Sequence, residues 1–495
     1  MLLAASITDH RYWPFAVLAI SVAFVIIAIS RLRLHAFLAL ILAALLAGAL
    51  AGSLPGDPKN PGKGKFLRAV ELVSEEFGST AGKLCIVVGM ATLIGMCMMQ
   101  SGAADKVVRR FLALTGPKHA VLALLAATYF LSIPIFFDTM FMLMAPIAMT
   151  LAMRTGGNFS AYVMAVCAAG VTTHSMTVPH PGPQLVVENL HLDTGASLFA
   201  GILVGLVPVS LGWFVIRWLG KRNDIPLRET ANAPLASLRT LAEKPESELP
   251  SFIAAITPVV LPILLISMAS VCEFIRIAVR EGRGWASFAA AAGGGEADWF
   301  RQFYYAAEFI GNKNIALMVG ALLSLVLLVR QRGLTMAKIS DMMGPPLETA
   351  GVIILITAAG GAFGLMLKNA GVGNAIKEAA SGSSIDLLLL SWCAALVLRI
   401  AQGSATVAMQ ATSAMIYPLM SGMSLAYHPM YVFLAIGFGA YGCSWMNDSG
   451  FWVVSRLSGF TERETLRTWT VLLTVLSIIG LLTTLLLSRL LPFAG

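Results

Sequence analysis

The chain has 495 residues, of which 57% are hydrophobic and only 12% charged, with a mean hydropathy of +0.80. A soluble domain carries about 25% charged residues, so a soluble enzyme or binding module is excluded; apolar runs of about 20 residues recurring end to end define a polytopic α-helical membrane protein. The net charge of +8 is no nucleic-acid footprint, because the basic residues (Arg31 and Arg33, Arg109 and Arg110, Arg330 and Arg332 among them) sit at the ends of apolar runs, where topology determinants and headgroup anchors belong.

Tyr12–Ser30 and His35–Ser53 read as two spans joined by the basic turn Arg31–Leu34. Tyr12–Ser30 lacks a basic n-region beyond Arg11 and a small-residue cleavage pattern, so it is read as a retained helix. Pro55–Ser79 is a polar connector with an interfacial helix around Phe66–Phe77, Thr80–Gln100 is apolar and Gly-spotted, and Ser101–Pro117 is polar. His119–Met153 is a long apolar element broken near Pro134. Ala161–Ser175 runs into G-V-T-T-H-S-M-T-V-P-H-P-G-P (Gly170–Pro183), and Ala196–Leu219 is a clean span. Lys221–Pro250 is a solvated linker. Phe252–Ile277 begins the apolar series again, Gly282–Asp298 is a Gly/Ala-rich insert, and Tyr304–Val329 is a span. Thr349–Lys368 is Gly-spotted, Ile385–Met423 is interrupted at Gln402-Gly403-Ser404, Met430–Gly442 leads into Cys443–Trp452, and Leu466–Leu490 is the last span. The six cysteines are scattered without a C-x-x-C pair and read as free thiols.

The second series resembles the first. One shift of 269 residues carries Thr80 onto Thr349, Gly102 onto Gly371, Tyr162 onto Tyr431, the Pro134 break onto Gly403, and His174–Pro183 onto Cys443–Trp452. Broken helices at matching positions of two repeats are the sequence mark of a secondary transporter. The expected fold is therefore an all-α polytopic membrane protein of two inverted repeats with broken helices and re-entrant hairpins. The repeats occupy residues 12–219 and 251–491, joined by a polar linker at 220–250, with an insert at 280–303.

Proline cannot sit in a helix interior without breaking or kinking it, and irregular backbone at membrane depth must line protein or a watery cavity. The breaks are therefore where chemistry is expected. Asp138, between Pro134 and Pro146, is an intramembrane acid; its insertion penalty of roughly 2.5–3.5 kcal/mol makes it a functional candidate, as a proton carrier or a half-helix cap. His174 and His180 flank the first break, with Ser175, Pro181 and Gly182; two histidines six apart with no nearby acid are a poor metal site, so no metal is expected, and one of them is equally readable as a structural hydrogen bonder. Gln402, Gly403, Ser404 and Thr406 expose backbone N–H groups at a half-helix start, which favours an anion. Arg399, three residues earlier, pairs with a substrate carboxylate, with Asp448 or with Asp138, or else snorkels to the interface. Asn447 and Ser449 offer partners for hydroxyl groups and Asp448 is a second buried acid; the three also read as a helix cap. No P-loop, dinucleotide fingerprint or nucleophile triad is present, so neither an enzyme nor a cofactor is expected. A cation-coupled exchanger or channel that uses the two acids as an ion site is the alternative to symport.

Five motifs together resemble the gluconate permease family of proton-coupled organic-anion symporters: P-I-F-F-D (Pro134–Asp138), H-S-x-x-x-P-H-P-G-P (His174–Pro183), F-I-G-N-K-N-I-A-L (Phe309–Leu317), R-I-A-Q-G-S-A-T-V-A (Arg399–Ala408) and N-D-S-G-F-W (Asn447–Trp452). The resemblance covers nearly the whole chain. It implies uptake of gluconate or a related sugar acid, hydroxy acid or D-serine with a proton, across a bacterial inner membrane, with the lipid bilayer, an organic anion and a proton as partners and a homo-oligomer left open. Family members usually carry His at the position of Trp445, Thr at Gln402 and Pro at Val178. These departures leave the substrate and the coupling ion open.

Overall fold

The computed structural model describes residues 12–57, 62–116, 119–228, 245–280, 298–372, 375, 386–421, 423–446 and 448–493. Among them the regular structure is helical: α1 Trp13–Ser30, α2 Ala36–Leu50, α3 Lys65–Gln100, α4 Ala103–Thr115, α5 Ala120–Leu131, α6 Phe137–Thr155, α7 Phe159–Met176, α8 Pro181–Asn189, α9 Thr194–Arg222, α10 Phe252–Arg280, α11 Asp298–Ile310, α12 Lys313–Arg332, α13 Met336–Asn369, α14 Leu387–Gln402, α15 Ala405–Ser421, α16 Met430–Gly439 and α17 Ser449–Ser458. The last, α18, spans Glu462–Leu490 and contains a π segment at Leu466–Thr470. Among the described residues, seven stretches, α7 and α8 counted as one, are long and apolar enough to cross a membrane.

Burial sorts these helices into an inside and an outside. The apolar window of α7–α8 is 94% buried, whereas those of α9, α10 and α12 are each 33% buried. A helix apolar all round and buried all round is enclosed by other helices; one apolar all round and mostly uncovered faces lipid. Small residues make that enclosure possible, since backbones approach closely where no side chain intervenes. Gly201 of α9 lies against the Met176 carbonyl at the end of α7, and Gly437 of α16 comes within contact of the Ser175 carbonyl.

The four breaks expected from sequence are all present. α5 and α6 are separated at Ser132–Phe136, α7 and α8 at Thr177–His180 with a cis Val178–Pro179 bond, α14 and α15 at Gly403–Ser404, and α16 and α17 at Ala440–Asp448. Gly403 has a φ of +76°, a left-handed conformation that ends α14 and that glycine adopts without a Cβ penalty. The shift that aligns the two halves of the sequence carries the α5–α6 break onto the α14–α15 break, and Pro181–Asn189 onto residues 450–458, inside α17.

Other expectations needed correction. The helix expected around Phe66–Phe77 is present but not separate from Thr80–Gln100: α3 runs unbroken from Lys65, its polar first half tied by Arg68 to Glu71 and Glu75 at 3.3 and 3.1 Å. Ser101–Pro117, read from sequence only as polar, contains α4. Tyr304–Val329 is not one span; it is divided at Gly311–Asn312, where the Asn312 side chain accepts from the Asn314 N–H and starts α12 afresh. The first break is also narrower than Gly170–Pro183, because α7 keeps His174 and Ser175 inside its last turns. Residues 281–297 of the expected insert and 229–244 of the linker lie outside the described residues.

Candidate functional site

Each break ends with a new helix start, and the four starts face one cavity. It is lined by Phe137 and Asp138 from the first turn of α6, Pro181 from the first residue of α8, Ser404, Ala405 and Thr406 from the start of α15, and Asp448, Ser449 and Gly450 from the start of α17. The first N–H groups of a helix have no intrahelical partner, and the aligned peptide dipoles place about half a positive charge there. Such ends around one space favour an anion, the free backbone donors coming chiefly from α6 and α15, because Pro181 and Pro183 of α8 carry no N–H and the Gly450 N–H of α17 is taken by Asp448. The cavity volume is about 190 Å³, below the roughly 300–1,000 Å³ of sites for drug-sized ligands, so it suits a small solute.

Among the described residues, three charged side chains line this space. Arg399, from the last turn of α14, is 3% exposed; its guanidinium donates to the Asp448 carboxylate and to the Gly403 carbonyl, and its Nε has no partner among the described residues. Asp448 also accepts from Ser444 Oγ and caps α17 through the Gly450 N–H at 3.0 Å. Ser444 Oγ in turn accepts from Trp469 Nε1 at 2.7 Å, which fixes α18 against this corner. Asp138 differs: it is half-buried and makes no ion pair or hydrogen bond among the described residues. The pair Arg399–Asp448 cancels, so the formal charge of the wall resides on Asp138.

The two histidines separate in role. His174 lines the cavity, while His180 is 1% exposed and its Nε2–H donates to the Ser132 carbonyl at 2.8 Å. A carbonyl only accepts, so that contact fixes the His180 tautomer. It also ties the α7–α8 break to the α5–α6 break. The two rings lie 4.7 Å apart, and Phe136 meets both edge-on.

Of the residues expected from sequence, Asp138, His174, Pro181, Arg399, Ser404, Thr406, Asp448 and Ser449 come together in the lining. Ser175, His180, Gly182 and Gly403 do not. Ser175 is buried away from the cavity. Gly182 sits where a Cβ would lie 3.3 Å from Thr406 Cα and overlap the Met409 methyl, so it sets the spacing of α8 against α15. Asn447 and the Gln402 side chain lie outside the described residues. Sequence reading missed Ile353, Ile356 and Thr357 of α13, Val171 of α7 and Trp469 of α18. Thr357 carried the only available signal, a lone hydroxyl in the run Val352–Ala359. No cluster of three His, Cys, Asp or Glu side chains able to hold a metal occurs among the described residues.

Comparison with known proteins extends this picture. A family profile described as GntP family permease matches residues 13–490. The chain is 29% identical over 471 residues to the Gnt-II system L-idonate transporter of Escherichia coli (strain K12), covering 95% of this chain and 98% of that protein. It is 31% identical over 411 residues to the inner membrane permease YgbN of the same organism, covering 82% and 86%. It is 28% identical over 475 residues to the high-affinity gluconate transporter of that organism, covering 96% and 99%. A crystal structure of the Alcanivorax borkumensis YdaH transporter superposes with a TM-score of 0.60 at 14% identity, over 93% of this chain and 98% of that one, which is a likeness of fold.

Proposed function

This chain belongs to the GntP permease family, as a multi-pass inner-membrane transporter and not an enzyme, and we propose that it takes up gluconate or a related small hydroxylated carboxylate together with a proton. The observation that carries this reading is the convergence of four helix starts on a cavity whose one unpaired charged side chain, among the described residues, is Asp138. The substrate carboxylate meets the N–H groups at Ser404–Thr406, where the helix dipole and unsatisfied donors favour it. Its hydroxyls meet Ser404, Thr406, Ser449 and Thr357. The free Nε of Arg399 adds a donor without breaking the pair with Asp448.

Charge balance supplies the coupling. With Asp138 ionised the wall has a formal charge of −1, and an entering carboxylate would bring a second negative charge into a poorly solvated space. At about 4 Å two like charges repel by about 4 kcal/mol at an effective dielectric of 20. Protonating Asp138 removes that term, so anion and proton bind together. His174, which also lines the cavity, is the proposed relay for the proton. The matching breaks of the two halves are the walls of an inverted repeat, each rocking against the other about the cavity. An exchanger that uses the two acids as a cation site fits less well, because Asp448 is already held by Arg399.

The test is Asp138→Asn in proteoliposomes under an imposed proton gradient. Uphill accumulation is lost while substrate counterflow persists. Uphill, proton-driven accumulation by Asp138→Asn would remove Asp138 from the coupling role. A binding panel of gluconate, idonate, short hydroxy acids and D-serine on purified protein, at two pH values, identifies the substrate; binding of none of them sinks the substrate class.

A further inference from the structure

A charged cluster at the far end of α8 is not used by the central cavity. α8 begins at the cavity with Pro181 and ends at Asn189, nine residues in all, a rise of roughly 13 Å at 1.5 Å per residue. That is close to half of the roughly 30 Å hydrocarbon thickness. Gln184 and Glu188 stand one turn apart on this helix and therefore share a face. Glu188 Oε1 accepts from Lys313 Nζ at 2.5 Å and from Gln184 Nε2 at 2.7 Å. Lys83 Nζ lies 3.9 Å from Glu188 Oε2. Two ammonium groups thus share one carboxylate, leaving a formal surplus of +1.

Three further observations point to a ligand here. Gln184 is fully buried, yet its Oε1 has no partner among the described residues. Lys313 comes from the F-I-G-N-K-N motif, which has no part in the cavity; the Asn312 cap places it as the first residue of α12. A small apolar group separate from the main core adjoins both the cluster and the cavity: Leu84, Val88, Ala91, Phe136, Leu185 and Ala350. Phe136 lines the cavity on one side, while Leu84 and Leu185 adjoin Lys83 and Gln184 in the chain.

We propose that Lys313, with Lys83 and the Gln184 amide, forms a second carboxylate site at the mouth of the route to the cavity, and that Glu188 is the internal anion holding it between substrates. This rests on the reading of the chain as a carrier of small hydroxylated carboxylates. An arriving carboxylate replaces Glu188 at Lys313, and Glu188 stays compensated by Lys83. Exchanging one carboxylate for another never strands a poorly solvated charge, which is the expensive state for a buried pair. Gln184 Oε1 accepts from a substrate hydroxyl beside the carboxylate. In this proposal the apolar group is the barrier between mouth and cavity, so transfer requires Phe136 and Leu185 to part.

The test is uptake of gluconate by the full chain in proteoliposomes, with the KM measured for Lys313→Gln, Glu188→Gln, their combination and Lys83→Gln. Lys313→Gln raises KM about tenfold, for one lost charge-assisted contact. Glu188→Gln removes the internal competitor and leaves KM equal to wild type or lower. Lys83→Gln raises KM about twofold, as for a partly screened charge. If Lys313→Gln and Glu188→Gln raise KM alike and the double variant restores it, the pair is a structural strut and the proposal is overturned. An unchanged KM in Lys313→Gln overturns it too. Should Lys313→Gln not fold, Lys83→Gln carries the test, because that side chain is 50% exposed; an unchanged KM there is equally decisive. Failure of the carrier reading is separate: the wild type then takes up no hydroxy acid at all, whereas the mouth site fails alone when wild-type uptake saturates normally and the variants do not shift it.

Discussion

Neutralising Asp448 isolates the electrostatics of the cavity wall. The Arg399 and Asp448 side chains are 3% and 8% exposed, so neither is solvated well enough to stand alone. Asp448→Asn keeps an oxygen that still caps the Gly450 N–H and removes only the charge, leaving Arg399 buried with the Gly403 carbonyl as its acceptor. Removing one partner of a buried pair costs about 3–5 kcal/mol. Asp448→Ala also deletes the cap of α17, adding about 1 kcal/mol. Arg399→Gln strands the opposite charge at similar cost. The double variant restores a neutral polar wall, so its loss falls short of the sum of the single losses by about 2 kcal/mol. The assay is reversible unfolding in mixed micelles, with the fraction of monodisperse protein after heating as a second readout. Asp448→Asn melting with the wild type, or a double variant whose loss equals the sum, would refute the assignment of a buried, mutually dependent pair.

Three further outcomes follow from other parts of the structure. Gly201→Ala puts a methyl into the Met176 carbonyl, a backbone atom that cannot rotate away; overpacking of this kind costs about 1–3 kcal/mol, and because it displaces the end of α7 it lowers uptake more than it lowers the unfolding midpoint. Trp445→His leaves KM and its pH dependence within about twofold, the spread of a near-neutral change, because Trp445 is 42% exposed, donates to the Ile400 carbonyl at 3.0 Å and does not line the cavity; a lost or newly acquired pH dependence would bring that side chain into the coupling. Lys106, hydrogen-bonded to Glu246, holds the Glu246 carboxyl below the usual carboxylate range. A depressed carboxylate stabilises at neutral pH, and that contribution disappears as pH falls through its folded value. The pair lies at the surface, where such contributions are small, so Glu246→Gln is expected to melt with the wild type at neutral pH, and a clear drop there would show the contact to be structural.

Much of the fold could be read along the chain because breaks are written locally. Pro134, Pro179 to Pro183, Gly403 and the polar run at Ser444–Ser449 each interrupt an apolar stretch, and each marks a real break. Boundaries were harder where hydropathy misled: the Asn312 cap divides what looks like one span, and the polar helix around Phe66–Phe77 runs on into the apolar Thr80–Gln100 as one α3. Partnership was harder still. Spacing alone leaves His174 and His180 equivalent, but the helix stops between them, sending one to the cavity and the other to the Ser132 carbonyl. Asp138 and Asp448 look alike as intramembrane acids until the fold places Arg399 against one of them. The sequence marked one helix start, at Gly403–Thr406, as suited to an anion. One start supplies about half a charge, too little to overcome the negative wall that Asp138 would present. Only the tertiary arrangement brings the starts of α6, α8, α15 and α17 to the same 190 Å³. At about half a charge each, four starts supply about two positive charges, which Asp138 and an entering carboxylate would share; under the proposed coupling, protonating Asp138 leaves that field to the substrate.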